Sequence, residues 1–222
     1  MSTVYLLDVD NTLLDNDAVT DDLRRHLRER FGAECEQRYW DIFEEHRRDL
    51  GYADYLGALQ RFRVERPRDP HILGVSIYLL HYPFADRLYP GALGAIAHLR
   101  QRGAVVILSD GDVVFQPRKV ERSGLWAAVD GQVLIYIHKE QMLDDVERRY
   151  PADHYVMVDD KLWLLHAIKK HWGGRVTTVW PKQGHYVSDA RVTALPPPDV
   201  TLERIGELLA WTPERLRQAP RP

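Results

Sequence analysis

Five short, apolar, β-rich runs, each followed by polar residues, constrain the fold of this chain more than any other feature of its sequence. The runs are Thr3–Val9, Ala104–Leu108, Val133–Ile137, His154–Val158 and Arg175–Trp180. Their apolar residues are nearly continuous rather than alternating, which is typical of strands that are covered on both faces. Such strands belong to parallel sheets that lie between layers of helices.

Helical patterns separate these runs along the chain. Helices are predicted over Ala92–Arg102, Pro117–Ser123 and Leu162–Trp172, and a last helix over Leu202–Ala210. Glycines directly after the first three patterns supply C-terminal stops. Because strands alternate with helices, we expect right-handed crossovers and therefore an α/β fold with a parallel sheet flanked by helices.

One interval departs from this alternation. Roughly 80 residues separate the first run from the helix at Ala92, and they contain no convincing strand. Four amphipathic helices are predicted there, over Asn16–Arg30, Glu36–Arg48, Ala53–Arg63 and His71–Tyr82. We therefore expect an α-helical cap over residues 15–88, inserted into a core formed by residues 1–14 and 89–222. The cap aromatics are expected to form its own core; they are Tyr39, Trp40, Phe43, Tyr52, Tyr55, Tyr78 and Tyr82.

Charge and cysteine content narrow the classes of partner. The chain has 30 Lys+Arg against 33 Asp+Glu, a formal net charge of −3, so no basic excess points to a nucleic acid. Cys35 is the only cysteine, which excludes an internal disulfide and a Cys-rich zinc site and fits a reducing compartment. Without a signal-peptide pattern or an apolar stretch of about 18–20 residues, the sequence predicts a cytoplasmic protein without a membrane partner. Monomer and homodimer both remain open.

Acidic, hydroxyl and basic side chains follow four of the predicted strands where each one ends. Asp8-Val9-Asp10-Asn11-Thr12 follows the first, Ser109-Asp110 the second, His138-Lys139 the third and Asp159-Asp160 the fourth. Each group alone has an ordinary structural explanation: a turn or a helix cap for the acidic and hydroxyl residues, and a solvated side chain for Lys139. Together they meet at one edge of a parallel sheet, where a reversal of strand order opens a crevice. Carboxylates crowded there repel one another without a cation, and oxygen ligands suit Mg²⁺.

These residues resemble the motifs of a known family. Asp8-Val9-Asp10-Asn11-Thr12-Leu13 resembles the first motif, Asp-x-Asp-x-Thr, of the haloacid dehalogenase-like superfamily. Leu108-Ser109-Asp110 is similar to its second motif, Lys139 to its third and Val158-Asp159-Asp160 to its fourth. The resemblance covers essentially the whole chain. It implies a Rossmann-like core with a helical cap inserted after the first motif.

The resemblance also implies a role for each residue. Asp8 would be the nucleophile that accepts a phosphoryl group, and Lys139, Ser109 and Asp110 would bind the phosphoryl oxygens, Asp110 through its backbone N–H. Mg²⁺ would be held by Asp8, the backbone carbonyl of Asp10 and Asp160. Asp159 would ligate the metal or orient its neighbours.

The carboxyl group of Asp10 bears on the reaction type. It can protonate a leaving alcohol and then deprotonate the attacking water, whereas displacement of halide from carbon requires no such acid. The expected function is thus Mg²⁺-dependent hydrolysis of a small phosphorylated metabolite through an aspartyl-phosphate. A phosphomutase, a dehalogenase and a non-catalytic binding protein with the same fold remain alternatives.

Three neighbouring features are expected to be structural. Lys119 lies within a predicted helix and Lys161 is expected to face outward, so neither is assigned to the site. The loop Gln183-Gly184-His185-Tyr186 is expected to support the sheet edge rather than to bind substrate.

Overall fold

A single sheet of six parallel strands forms the centre of the computed structural model, which describes residues 2–217. The strands are β1 (Thr3–Leu7), β2 (Ala104–Asp110), β3 (Val133–Tyr136), β4 (His154–Val158), β5 (Val176–Pro181) and β6 (Val200–Leu202). Their order in the sheet is β3-β2-β1-β4-β5-β6. The predicted α/β fold with a Rossmann-like parallel sheet is confirmed.

Residues 2–217 also form ten α-helices. They are α1 (Asn16–Phe31), α2 (Ala33–Leu50), α3 (Tyr55–Glu65), α4 (Ile72–His81), α5 (Ala92–Arg100), α6 (Phe115–Arg122), α7 (Leu125–Ala128), α8 (Leu143–Arg149), α9 (Leu162–Trp172) and α10 (Pro213–Arg217). The first four lie in the insertion, and their ends fall within three residues of the predicted bounds. Asp15 and Asp54 begin α1 and α3 by accepting hydrogen bonds from the backbone N–H groups of Ala18 and Gly57.

The centre of the sheet is also the point at which its strand order reverses. β1 pairs with β2 on one side and with β4 on the other. The chain therefore leaves β1 toward β2 and β3, and then returns to the opposite side at β4. In open α/β sheets, ligands bind outside the carboxyl ends of the strands at such a point. Asp8 follows β1 there, and Asp159 follows β4.

Alternate residues of β1 point into two apolar layers. Tyr5 and Leu7 belong to one buried cluster, whereas Val4 and Leu6 belong to the other. All five residues of the strand are buried, which explains why its sequence is apolar without alternation. The first cluster continues into the inserted helices through Val19 and further buried residues, so the insertion and the sheet share one apolar core.

The C-terminal part of the described chain differs from the prediction. The expected helix over Leu202–Ala210 is wrong, because Val200–Leu202 forms β6 and a 3₁₀ helix spans Ile205–Ala210. Pairing with β5 occupies the backbone of Leu202, whose carbonyl oxygen accepts a hydrogen bond from the N–H of Lys182 at 2.8 Å. A strand of three residues is too short to show the two-residue alternation of side chains that would distinguish it from a helix in the sequence.

The two segments that connect the insertion to the sheet run side by side. Leu14 and Leu88 form an antiparallel bridge. The N–H of Asp15 donates to the Arg87 carbonyl at 2.8 Å, and the N–H of Tyr89 donates to the Leu13 carbonyl at 2.9 Å. The chain thus enters and leaves the insertion through one short ladder. The division into a core and a cap at these segments remains a prediction.

None of the helices within residues 2–217 combines the length and the apolar character needed to cross a membrane.

Candidate active site

Three buried carboxylates meet where β1 and β4 end. Asp8 is 2% exposed, and Asp159 and Asp160 are fully buried. Each offers an oxygen atom that lies within 4.8 Å of those of the other two. The strand ends thus bring together the acidic residues that the sequence assigned to a metal site, with the exception of the side chain of Asp10.

Lys139 supplies a fully buried positive charge to this cluster. Its Nζ lies 2.6 Å from Oδ1 of Asp8 and 2.6 Å from Oδ2 of Asp159, and it donates to the Leu108 carbonyl at 3.2 Å. Burial alone would lower the pKa of Lys139, but the charges of Asp159 and Asp8 outweigh it and hold that pKa well above its ordinary value. The ammonium therefore stays charged between the two carboxylates.

Asp160 differs from its neighbours because no group within residues 2–217 donates a hydrogen bond to either of its carboxylate oxygens. Its backbone is nevertheless fixed: its N–H donates to Oγ1 of Thr12 at 3.0 Å, and its carbonyl accepts from Nε1 of Trp180 at 2.8 Å. Burial raises the pKa of this carboxyl well above its ordinary range. The backbone of Asp160 is thus fixed, while neither of its carboxylate oxygens accepts a hydrogen bond from a group within residues 2–217.

The chemistry of this cluster fits a divalent cation. Asp8, Asp159 and Asp160 supply closely spaced oxygen atoms, which are the ligands that Mg²⁺ prefers. The orphaned oxygens of Asp160 are acceptors that no protein donor within residues 2–217 satisfies. A divalent cation would satisfy these oxygens and would offset the repulsion among the three carboxylates.

Neighbouring hydroxyl groups complete the surroundings of Asp8. Thr12 Oγ1 donates to Oδ2 of Asp8 at 3.3 Å, and Ser109 Oγ lies 3.5 Å from Oδ1. Gln116 Nε2 donates to Ser109 Oγ at 3.0 Å and orients that hydroxyl group. The carboxylate of Asp110 accepts a hydrogen bond from the backbone N–H of Lys139 at 2.7 Å, so its side chain fixes the chain beside the lysine.

Asp10 points away from the buried cluster and toward a cavity. Its side chain is 26% exposed, and its Oδ1 accepts a hydrogen bond from Nζ of Lys119 at 2.6 Å. Between Asp10 and Thr12 the chain turns at Asn11, whose φ of 59° is a left-handed conformation that asparagine tolerates. Asp8 is thus buried among the other carboxylates, whereas the Asp10 side chain lines the cavity.

Lys161 corrects an expectation from the sequence. It does not face outward; its side chain lies along the cavity wall, with Nζ 5.6 Å from the centre of the Tyr186 ring. Burial would lower the pKa of Lys161, but the charges of Asp8, Asp160 and Asp159 outweigh it and raise that pKa. A second ammonium group therefore acts on the acidic cluster, beside Lys139.

A cavity of about 780 Å³ lies between the inserted helices and the strand ends. This volume is in the range of small-molecule sites. Most of the cap aromatics are buried, as expected, and only Tyr52 and Tyr78 are partly exposed. Some also line the cavity wall; these are Trp40, Phe43, Tyr52 and Tyr55.

Contacts around the rim hold the inserted helices against the strand ends. His185 Nδ1 lies 2.6 Å from Oδ1 of Asp17, and the Arg47 side chain donates to the Tyr186 hydroxyl. Gly51, at the end of α2, has a φ of +81°, and a Cβ added there would lie 2.5 Å from Cε1 of His138. The loop from Gln183 to Tyr186 therefore supports the structure and also borders the cavity through His185 and Tyr186.

Residues 3–171 match the haloacid dehalogenase-like hydrolase family. The chain belongs to this family. It is accordingly an enzyme of the hydrolase class, and the resemblance inferred from the motifs is confirmed. No curated protein matches the chain significantly in sequence.

Solved structures of haloacid dehalogenase-like proteins share the fold. A haloacid dehalogenase-like hydrolase from Burkholderia xenovorans is 62% identical, with a TM-score of 0.91 over 95% of this chain and 99% of that one. The HAD-hydrolase YfnB from Bacillus subtilis, bound to magnesium, is 16% identical, with a TM-score of 0.62 over 94% and 97%. The L-2-haloacid dehalogenase from Xanthobacter autotrophicus, with chloropropionic acid covalently bound, is 16% identical, with a TM-score of 0.65 over 99% and 100%.

Two lysines at this haloacid dehalogenase-like site were not assigned to it from the sequence. Lys119 lies four residues after the buried Phe115 on α6, so helical spacing places it on the buried face of that helix. A lysine on a buried helical face is rare unless it is paired, so the position of Lys119 on that face could have indicated that it has a charged partner in the site. Lys161 had no comparable signal, since the direction of its long side chain depends on tertiary contacts.

Proposed function

We propose that this hydrolase cleaves phosphomonoesters of small metabolites, with Asp8 as the nucleophile and Mg²⁺ as its cofactor. The observation that carries the proposal is the orphaned, buried carboxylate of Asp160 beside Asp8 and Asp159. A carboxylate and a phosphate group repel each other, so attack requires positive charge at the site. Displacement of halide from a carbon atom carries no such requirement.

The residues that would hold the cation are Asp8, Asp160 and the backbone carbonyl of Asp10, with Asp159 beside them. When bound, Mg²⁺ would draw charge from the phosphoryl oxygens and reduce their repulsion with Asp8. Asp159 shares Lys139 with Asp8, which favours a role for Asp159 in positioning that lysine.

Two steps account for hydrolysis. In the first, a carboxylate oxygen of Asp8 forms a bond to phosphorus, the ester P–O bond breaks, and Asp10 gives a proton to the departing alcohol oxygen. In the second, Asp10 takes a proton from water as the water oxygen attacks phosphorus, and phosphate leaves Asp8. Lys139 and the Ser109 hydroxyl would bind the phosphoryl oxygens, because both already lie against the nucleophile.

The test is release of inorganic phosphate from a panel of phosphorylated metabolites in the presence of Mg²⁺. We expect activity that EDTA abolishes, that Asp8→Asn removes and that the exposed control Asp86→Asn retains. Accumulation of inorganic phosphate separates hydrolysis from a phosphomutase reaction. Equal activity of wild type and Asp8→Asn would refute the assignment of the nucleophile.

The second candidate is hydrolytic dehalogenation of small haloacids. It is favoured by the similarity in fold to L-2-haloacid dehalogenases over nearly the whole chain. Asp8, neutralised by Lys139, would attack carbon, and the halide would leave without a proton. Halide release from 2-chloropropionate that persists in EDTA and in Asp10→Asn, without phosphatase activity, would establish this alternative.

A further inference from the structure

Lys119 is a fully buried lysine whose ammonium group joins the sheet edge to the inserted helices. Its side chain is 0% exposed, and its Nζ donates to Oδ1 of Asp10 at 2.6 Å and to Oδ1 of Asn16 at 2.8 Å. The same Nζ lies 5.3 Å from the centre of the Phe115 ring. Asp10 follows the first strand, whereas Asn16 is the first residue of α1. One ammonium group therefore contacts both parts of the chain.

The partners of Lys119 face the cavity rather than the apolar core. Asp10 and Asn16 both line it, and the Asp10 side chain remains 26% exposed. Taking a charged group out of water is expensive, and an apolar side chain at such a position is often equally compatible with stability. Stability alone therefore does not explain why a lysine is buried at this position. Its contact with the Asp10 carboxylate at the cavity wall does.

The contacts of Lys119 are themselves tied to the inserted helices. Asn16 Nδ2 donates to the Tyr55 hydroxyl at 3.2 Å, and the ring centres of Tyr55 and Phe115 are 5.2 Å apart. On the same helix as Lys119, the Arg118 side chain donates to the Leu80 carbonyl at 3.1 Å. A displacement of α1 or α3 relative to α6 would break this set of contacts and release the Asp10 side chain.

We propose that Lys119 is a positioning residue that holds the Asp10 carboxylate at the cavity wall and, through Asn16, makes its orientation depend on the inserted helices. The proposal rests on the proposed function, in which Asp10 transfers protons to and from the reacting oxygens. A group that transfers a proton must lie about 2.6–3.2 Å from its target, and a misplacement of about 1 Å costs on the order of 100-fold in rate.

Substrates with different leaving groups separate this role from a merely structural one. An alkyl phosphate needs a proton on its departing oxygen, whereas p-nitrophenyl phosphate releases a stable phenolate without one. We expect Lys119→Met to lower kcat/KM, which reports the steps up to departure of the alcohol, about 100-fold on an alkyl phosphate and less than about 10-fold on p-nitrophenyl phosphate. The second step, in which Asp10 takes a proton from water, is common to both substrates, so kcat does not separate them. Asp10→Asn should show the same selectivity, and the double variant should be no slower on the alkyl ester than Asp10→Asn alone.

Two further variants keep the test decisive. Lys119→Gln retains a hydrogen-bond donor without the charge; it should show the same selectivity in weaker form and serves if the methionine variant does not fold by circular dichroism. Lys169→Met removes another ion pair, between Nζ of Lys169 and Asp199 at 2.7 Å, and should leave the rate ratio of the two substrates unchanged.

The outcomes distinguish this proposal from the function on which it rests. A wild-type protein that releases no phosphate from either substrate overturns the proposed function. An active wild type whose Lys119 variants lower kcat/KM equally for both substrates, or more for p-nitrophenyl phosphate, overturns the positioning role and leaves phosphatase activity intact.

Discussion

Replacing the buried carboxyl of Asp160 by an amide should stabilise the metal-free protein, because the native state must otherwise hold an unpaired charge or take up a proton there, although most substitutions of buried residues destabilise. The carboxylate is fully buried, and no protein donor among residues 2–217 reaches its oxygens. Asp160→Asn keeps the shape of the side chain and loses its charge. The free energy of unfolding in EDTA is therefore expected to rise.

The magnitude follows from the spacing of the charges. At a separation of at most 4.8 Å and an effective dielectric constant of about 20, each like-charged pair costs at least about 3.5 kcal/mol. Asp160 has two such neighbours, Asp8 and Asp159, and attraction to Lys161 and Lys139 opposes that repulsion. The unsatisfied burial of the group remains, at about 1–3 kcal/mol. For a chain of this size, that gain raises Tm by about 2–12 °C.

The matched control is the adjacent Asp159→Asn. Asp159 is equally buried, but Nζ of Lys139 lies 2.6 Å from its carboxylate and the N–H of Lys161 donates to it at 2.8 Å. Loss of one partner of this buried ion pair should lower the free energy of unfolding by about 3–5 kcal/mol. The two substitutions should thus change stability in opposite directions.

The assay is thermal unfolding in EDTA and in a Mg²⁺ series. A ligand at about 100 times its Kd stabilises the native state by about 2.7 kcal/mol, and both variants should lose most of this increment. If Asp160→Asn were destabilised in EDTA as much as Asp159→Asn, the interpretation of Asp160 as an unpaired buried charge would be refuted.

Three further outcomes are expected. Lys161→Met should raise KM for a phosphorylated substrate about 10-fold or more with a smaller effect on kcat, as measured by steady-state kinetics, because its ammonium faces the cavity. Gly51→Ala should lower stability by about 1–2 kcal/mol through its left-handed backbone and should also reduce kcat/KM, because the new Cβ meets His138. Burial alone would raise the pKa of Asp22, but hydrogen bonds from Tyr82 and Arg87 hold it below 3.8. This stabilisation is present above that pH and is lost as pH falls, so Asp22→Asn should flatten the loss of Tm below about pH 4.

Each of these predictions has a control within the chain. Lys170→Met removes an exposed lysine from α9 and should leave KM unchanged. Gly32→Ala also strains a positive-φ backbone, at φ +85° and ψ 168°, with nothing within 4 Å of the added Cβ, so it should lose stability without losing activity. Asp21→Asn, on the exposed side of α1, should leave the acid dependence of Tm as it is in wild type. A control that behaved like its partner variant would contradict the corresponding explanation.

The convergence of the acidic residues could be predicted from the sequence, because parallel strands place their carboxyl ends at one edge whatever the details of packing. Asp8, Ser109, Asp159 and Asp160 follow directly from that rule, Lys139 follows from it together with the resemblance to the third family motif, and the structure brings all five together. Strand ends fix the position of a residue to within a few ångströms, which is enough for short side chains.

The lysines of the site show where such prediction ends. The ammonium groups of Lys119 and Lys161 stand at the end of four flexible carbons, and their direction depends on contacts with distant segments. Lys119 reaches Asp10 and Asn16, more than one hundred residues earlier in the chain. β6 was missed for a related reason: its three residues owe their conformation to pairing with β5 rather than to their own pattern.

The paired segments at the base of the insertion have a consequence for how such chains diversify. The backbone bridge between Leu14 and Leu88 holds the two connecting segments together at the base of the insertion. The ends of the insertion are therefore already joined where it leaves the sheet, as in a closed loop. The entropy of closing a loop grows only slowly with its length, so the length of an insertion at this ladder would by itself change the stability of the sheet little, provided that the new helices cover the apolar core that the present ones share with the sheet. A replacement cap grafted between these two residues could therefore redefine the cavity wall while leaving Asp8 and Lys139 in place.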